Sequence, residues 1–251
     1  MCSNVIGINN NPYDFLRDIF YFTDTEMTTV SAIVSAYYAK DFIRARLDNL
    51  MSLYPRPEVI VVAQHGSVEA EIAKTYDVTW ILTPDIPTIY AAWNMAIKAA
   101  NGDYITNANC DDILYQQGLS AMLATLKVNP HFALVYGNNY IIDGEDRLLH
   151  FRKEGDYEYL KTCCFVGPMP MWRKSLHEKY GYFNETFKVC GDYEFWLRIA
   201  SHGELLFHRD FFVGEYLKRP DSAEHRQPEI AHEEKLQIQS MYKGIAIRPK
   251  L

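Results

Sequence analysis

No stretch of this chain is rich in lysine and arginine, and its 251 residues carry a formal net charge of -7. Long phosphate backbones are held by clustered cations, so nucleic acid is not expected as a partner. No apolar run approaches the roughly 20 residues a helix needs to cross a bilayer. The N-terminus also lacks the basic start and apolar middle of a secretion signal, so a chain without a transmembrane segment is expected. Cysteine is scarce: there are five, an odd number, two of them adjacent at Cys163-Cys164, with no C-x-x-C pair. That excludes a disulfide framework and a cysteine zinc site, and points to a reducing, cytoplasmic setting. Repeats and low-complexity tracts are missing too, and nothing in the pattern speaks to oligomeric state.

What is present is enough apolar material for one full core, at 48% hydrophobic residues. The chain reads as one domain over residues 29–226, preceded by an extension (1–28) and followed by a helical tail (227–251). Within the extension, Pro12 to Phe22 has the spacing of a short amphipathic helix, with Phe15, Leu16, Ile19 and Phe20 on one side. Packing against the chain's own domain is its expected use.

From Val30 onward strands and helices alternate. Val30 to Ser35, Val59 to Ala63, Val78 to Leu82 and Asp103 to Asn107 read as strands, while Asp41 to Tyr54, Ser67 to Tyr76 and Thr88 to Ala100 read as helices. Beyond them come a helix over Gln117 to Val128, a stop at Asn129-Pro130, and strands Phe132 to Tyr136 and Asn139 to Asp143 before the turn Gly144-Glu145-Asp146. Repeated βα units imply an α/β fold with a mostly parallel central sheet and helices on both faces.

The richest segment is Thr88 to Asp112, TIYAAWNMAIKAANGDYITNANCDD, a helix, a glycine turn and a strand that ends on two adjacent carboxylates. Ligands of open α/β sheets bind at the C-terminal edge of the strands, and hard oxygens there suit magnesium or manganese bridging a diphosphate. The competing reading is that Asp111-Asp112 cap the next helix. In Asn94, in the Ala100 to Tyr104 turn and in Asn109-Cys110-Asp111-Asp112, the chain resembles the family 2 inverting glycosyltransferases of the GT-A fold. The resemblance runs from about Val30 to about His225, with Asn109 in place of the first acid of the usual D-x-D. It implies a nucleotide-binding half (29–112) and an acceptor-binding half (113–226), with a nucleotide-sugar donor, most often a UDP-sugar. Ala36, Tyr37, Gln64, Asp85, Asn94 and Asp111 would contact the nucleotide, and Arg219 a phosphate. A divalent cation, manganese or magnesium, would be held by Asp111, Asp112 and His225.

A second constellation is Gly191-Asp192-Tyr193-Glu194-Phe195-Trp196-Leu197-Arg198, which resembles the family's E-D-x-[DE]-[LF]-W-x-R segment with Gly191 replacing the first acid. Inversion needs a carboxylate on the side opposite the nucleotide to take the proton of the acceptor hydroxyl, and the resemblance gives Asp192 that role. The plainer alternative is an N-cap. Glu194 and Trp172 are candidate acceptor contacts, the acceptor being a carbohydrate or another hydroxyl compound, whereas Arg198 is expected to pair structurally with a carboxylate. No Q-x-x-R-W segment is present, so single-sugar transfer is expected rather than processive synthesis. Two other classes stay open: a sugar nucleotidyltransferase, which would carry a glycine-rich loop where Ser35 to Asp41 has no glycine, and a non-catalytic sugar or nucleotide binder, toward which Asn109 and Gly191 are steps.

Overall fold

The computed structural model describes residues 29–220, 222 and 226–247. The extension 1–28, with the helix expected at Pro12 to Phe22, and His225 lie outside the described residues. Four parallel strands open the described residues: β1 (Val30–Ala36), β2 (Glu58–Gln64), β3 (Thr79–Thr83) and β4 (Tyr104–Asn107), separated by α1 (Ile43–Met51), α2 (Val68–Ala73) and α3 (Ile89–Ala99). There follow β5 (Ile113–Leu114), α4 (Gln116–Val128), β6 (Phe132–Asp143), β7 (Asp146–His150), α5 (Tyr157–Leu160), β8 (Met171–Arg173), α6 (Ser175–Tyr180), α7 (Gly191–Ser201), β9 (Leu205–Leu217) and α8 (Pro228–Tyr242).

The strand order is β3-β2-β1-β4-β8-β6-β9-β5, with β7 paired to β6. The first four strands are parallel; β8 then runs antiparallel to both β4 and β6, and β9 runs parallel to β6. Apolar residues fill both faces. Ile43, Leu47, Leu50, Leu119, Met122 and Leu126 of α1 and α4 close one, and Trp93, Ile97, Phe195, Trp196 and Ile238 of α3, α7 and α8 close the other. The α/β reading with helices on both faces of a sheet is therefore the observed fold.

Local chemistry sets the element ends. Ser67 and Thr88 cap α2 and α3 by accepting from the Ala70 and Ala91 amides, as their β-region backbone allows. The turn into β4 needs Gly102, because a Cβ there would lie 2.6 Å from Ser31 Oγ and 2.7 Å from the Thr29 carbonyl oxygen. Two expectations fail. Tyr54 does not continue the inner face of α1, which ends at Met51, and is exposed. The strands expected on either side of Gly137-Asn138 are one strand, whose register against β9 shifts at that pair. Asn138 absorbs the irregularity, its Nδ2 donating to Asp210 (2.8 Å) and its Oδ1 accepting from the Arg152 amide (2.8 Å).

Candidate active site

The chain builds β3 outward from β1 and then returns to place β4 on β1's other side. The crevice of an open α/β sheet forms where strand order reverses like this. A cleft of about 1000 Å³ opens there, lined after β1 by Tyr37, Tyr38 and Ala39, and by Asn107 at the end of β4 with Asn109, Cys110 and Asp111 after it. Its opposite wall includes Asp192 at the second position of α7, and Arg219 reaches in from beyond β9.

Asp111 and Arg219 form an ion pair at 2.8 Å, with side chains only 15% and 20% exposed, and the guanidinium stacks over Phe42 at 4.4 Å. Asp112 faces the other way. It is 1% exposed, with Oδ1 accepting from the Leu217 amide and Oδ2 from Asn109 Nδ2, both at 3.3 Å, and it does not line the cleft. Burial first, and Asp111 beside it second, push its carboxyl up from the usual carboxylate range. A buried carboxyl with both oxygens engaged is no cleft ligand, which corrects the expectation for Asp112. Neither carboxylate caps α4, whose N-cap is Tyr115. Beneath this turn Arg46 is fully buried and donates to the Asp112 carbonyl at 3.0 Å, while Asn49 exchanges hydrogen bonds with the backbone of Leu114. A cation on the apolar stripe of α1 was the available sequence signal for Arg46.

Around Asp192 the geometry is set by Tyr90 and by Glu234. Asp192 Oδ1 accepts from the Tyr193 amide at 2.8 Å and lies 3.2 Å from the Tyr90 hydroxyl, which also reaches the Val189 carbonyl at 2.6 Å. The N-cap position of α7 belongs to Cys190, without a side-chain cap, so Asp192 is not there as a cap. A Cβ on Gly191 would lie 2.7 Å from the Tyr90 ring, so glycine in place of the usual acid makes room for that ring. Glu234 of α8, 8% exposed, accepts from the amides of Lys188 (2.7 Å), Val189 (2.9 Å) and Cys190 (2.8 Å), fixing the segment that leads into Asp192. Neither Tyr90 nor Glu234 carries a sequence signal of this role.

Other expected site residues stand elsewhere. Trp172, 0% exposed, donates from Nε1 to His177 Nε2 at 2.9 Å and cannot meet an acceptor. Glu194 is buried in a bidentate pair with Arg198 and accepts from Tyr242 at 2.8 Å; Arg198 thus pairs structurally, and Glu194 is its partner rather than an acceptor contact. Asn94, 1% exposed, ties α3 to Phe183 and Glu185. Ala36 is buried inside β1. Gln64 donates to the Pro84 carbonyl at 3.3 Å and Asp85 is exposed beside it; neither lines the cleft. Of the nucleotide candidates, Tyr37 and Asp111 do line it, Tyr37 with its hydroxyl 2.8 Å from Thr83 Oγ1.

A divalent cation fits this donor set in a limited way. Among the described residues no group of three or more His, Cys, Asp or Glu side chains converges to hold a metal unaided. The residues of the 107–111 segment with oxygen-bearing side chains that line the cleft are Asn107, Asn109 and Asp111, and Asn107 Oδ1 itself is buried without a hydrogen-bond partner among the described residues. Magnesium is commonly held by one or two carboxylates plus substrate phosphates, a pattern that one cleft carboxylate satisfies. His225 is outside the described residues.

Comparison with known proteins agrees with this architecture. The chain is 24% identical over 205 residues to an uncharacterized glycosyltransferase of Rickettsia typhi, covering 76% of this chain and 64% of that protein. It is 25% identical over 199 residues to one of Rickettsia prowazekii, covering 73% and 62%. The chain thus spans less than two thirds of the length of these relatives. Among solved structures it superposes on S. aureus TarS in complex with UDP-GlcNAc (TM-score 0.66, 18% identity, 86% of this chain and 71% of that one). It also superposes on a mannosyltransferase from Pyrobaculum calidifontis in complex with GDP-Man and Mn2+ (TM-score 0.65, 18% identity, 94% and 72%). Both likenesses are of the GT-A fold. The sequence model described as Glycosyl transferase family 2 matches residues 31–191, more than half of the chain, and the chain belongs to that family.

Proposed function

We propose that this chain is an inverting glycosyltransferase that moves a single sugar from a nucleoside diphosphate, with UDP the favoured nucleotide, to a hydroxyl acceptor. One observation carries the reading: Asp111, paired with Arg219 at the crossover of β1 and β4, and Asp192 at the head of α7 line the same cleft. A leaving diphosphate needs positive charge at one end of such a site, and an attacking hydroxyl needs a base at the other. The solved relatives with UDP-GlcNAc and with GDP-Man and Mn2+ support a nucleotide-sugar donor.

In this reading the acceptor oxygen bonds to the anomeric carbon as that carbon's bond to the diphosphate oxygen breaks, with inversion. The departing bond pair stays on the diphosphate, and the acceptor proton passes to a carboxylate oxygen of Asp192. A magnesium or manganese ion held by Asp111 would offset the charge on the leaving diphosphate. Arg219 exchanges its carboxylate partner for phosphate oxygens, which bidentate guanidinium geometry suits. Tyr37 offers its ring to the base beside β1. Tyr90 orients Asp192 from the side. The segment 29–112 is then the nucleotide half and 113–226 the acceptor half, with α8 contributing to the latter. The test is incubation with a panel of nucleotide sugars, reading released nucleotide and transferred mass by mass spectrometry. Absence of both, for every donor and with divalent cation present, would overturn the reading.

A further inference from the structure

Among the described residues that line the cleft, the cations Arg152, Lys188, Arg219, Arg226 and Lys235 outnumber the carboxylates Asp111 and Asp192, in a chain whose formal net charge is -7. They fall into groups. Arg219 and Arg226 belong to the Asp111 end, where Arg219 pairs with Asp111 and Arg226 lies over the Tyr38 ring at 5.6 Å. Lys188 and Lys235 belong to the Asp192 end. Glu234 places them there: its carboxylate holds the amides of Lys188, Val189 and Cys190, the residues that run into Gly191 and Asp192. Lys235 is the next residue of α8, and His232, one turn earlier on the same cleft-lining face, adds a third nitrogen base.

The donor's diphosphate accounts for the first group but not the second. Lys188 and Lys235 are exposed to the cleft, and neither forms an ion pair with a described residue. Cations lining a concave wall focus their field into the cleft and draw anions there. Glu234 itself is spent on backbone amides. The two lysines are carried by the segment that runs into Asp192 and by the helix that holds it, not by the β1 and β4 loops of the Asp111 end, and this points to the acceptor as the source of the negative charge they would meet.

We propose that the acceptor is anionic: a hydroxyl compound bearing a phosphate or carboxylate, whose charged group sits on Lys188 and Lys235 while its hydroxyl faces Asp192. This rests on the glycosyl-transfer reading above. The anion takes no part in bond making; it fixes which hydroxyl is presented and strengthens acceptor binding.

The experiment is calorimetric titration of the full chain, with and without saturating UDP and magnesium, using glucose 6-phosphate, glucuronate and methyl glucoside as probes. With UDP bound, at least one anionic probe is expected to bind at least about tenfold more tightly than methyl glucoside. The double variant K188E/K235E should lower affinity for that anion at least about tenfold more than it lowers affinity for UDP, and K188Q/K235Q should fall between. The two anionic arms separate phosphate from carboxylate recognition. Methyl glucoside binding as well as the anions, no anion binding, or anion binding untouched by either double variant would overturn the proposal. An equal loss of UDP and anion would also overturn it, because the lysines would then serve the donor. Failure of the glycosyl-transfer reading shows separately, as absence of nucleotide release across the donor panel, a readout that the titration does not use.

Discussion

Arg219 Nε sits 2.8 Å from Asp111 Oδ2, so the carboxylate best placed to hold a cation already carries one from the chain itself. In the proposed reading, donor binding is therefore an exchange of partners rather than the filling of an empty site.

Asp111→Ala should lower transfer or donor hydrolysis at least about a hundredfold, in line with the loss of one main stabilising contact to a developing negative charge. Excess EDTA should do the same to the wild-type enzyme. Full activity in EDTA would sink the metal assignment, and a melting curve shifted far below wild type would show that Asp111→Ala acts through unfolding.

Asp192→Asn keeps the shape and the hydrogen bond from the Tyr193 amide but cannot take a proton. Transfer should fall by about a hundred- to ten-thousand-fold with donor affinity and melting temperature nearly unchanged. Near wild-type transfer would remove Asp192 from the base role, and collapse of donor affinity would move it to the donor site.

Tyr90→Phe retains the ring against Gly191 and removes only the hydroxyl near Asp192, so kcat should drop by about tenfold or less while the fold is kept. A positioning role also predicts a shifted pH dependence of kcat, because the carboxylate loses a neighbouring donor. Gly191→Ala drives a methyl into the same ring and should cost about 1–3 kcal/mol of stability, measured by denaturant unfolding. A Gly191→Ala protein as stable as wild type would contradict this packing.

His177 carries the clearest pH signature. Burial lowers its pKa from 6.5 to about 4, and as a neutral ring it accepts from Trp172 Nε1. Between those two values the unfolded chain binds a proton that the folded chain refuses, so stability rises with pH across that window. Stability is complete above about pH 6.5 and declines by about 3 kcal/mol toward pH 4 from this group alone. His177→Gln should flatten that part of the pH–stability curve; an unchanged slope would mean that the imidazole is not buried neutral.

The parallel half of the sheet was legible because its signals are local: apolar runs for β1 and β2, the period of α3, and the Asn101-Gly102 turn into β4. The three-residue β8 was not, since it lies beside Pro168 and Pro170 and exists by pairing with Ile105 and Leu134, far away in sequence. The site was half legible for the same reason. Asp111 and Asp192 stand at element ends that periodicity can find, whereas the burial of Asp112, Glu194 and Trp172 depends on partners such as Leu217, Tyr242 and Trp196. Tyr90 meets Asp192 across 102 positions, and no spacing rule reaches that far.

The hold of Glu234 on three successive amides, with Ile238 and Tyr242 buried behind it, makes α8 an anchored jaw with one exchangeable face. The sheet and its crossover keep the nucleotide end in place by many strand-to-strand bonds, while the buried side of α8 holds the segment before Asp192 through Glu234 and leaves its outer side, with His232 and Lys235, to the cleft. Evolution or an engineer can therefore rewrite the face of α8 to suit another acceptor and leave donor use intact. Chimeras in which residues 227–247 are exchanged between relatives should inherit acceptor preference from the helix and nucleotide preference from the sheet.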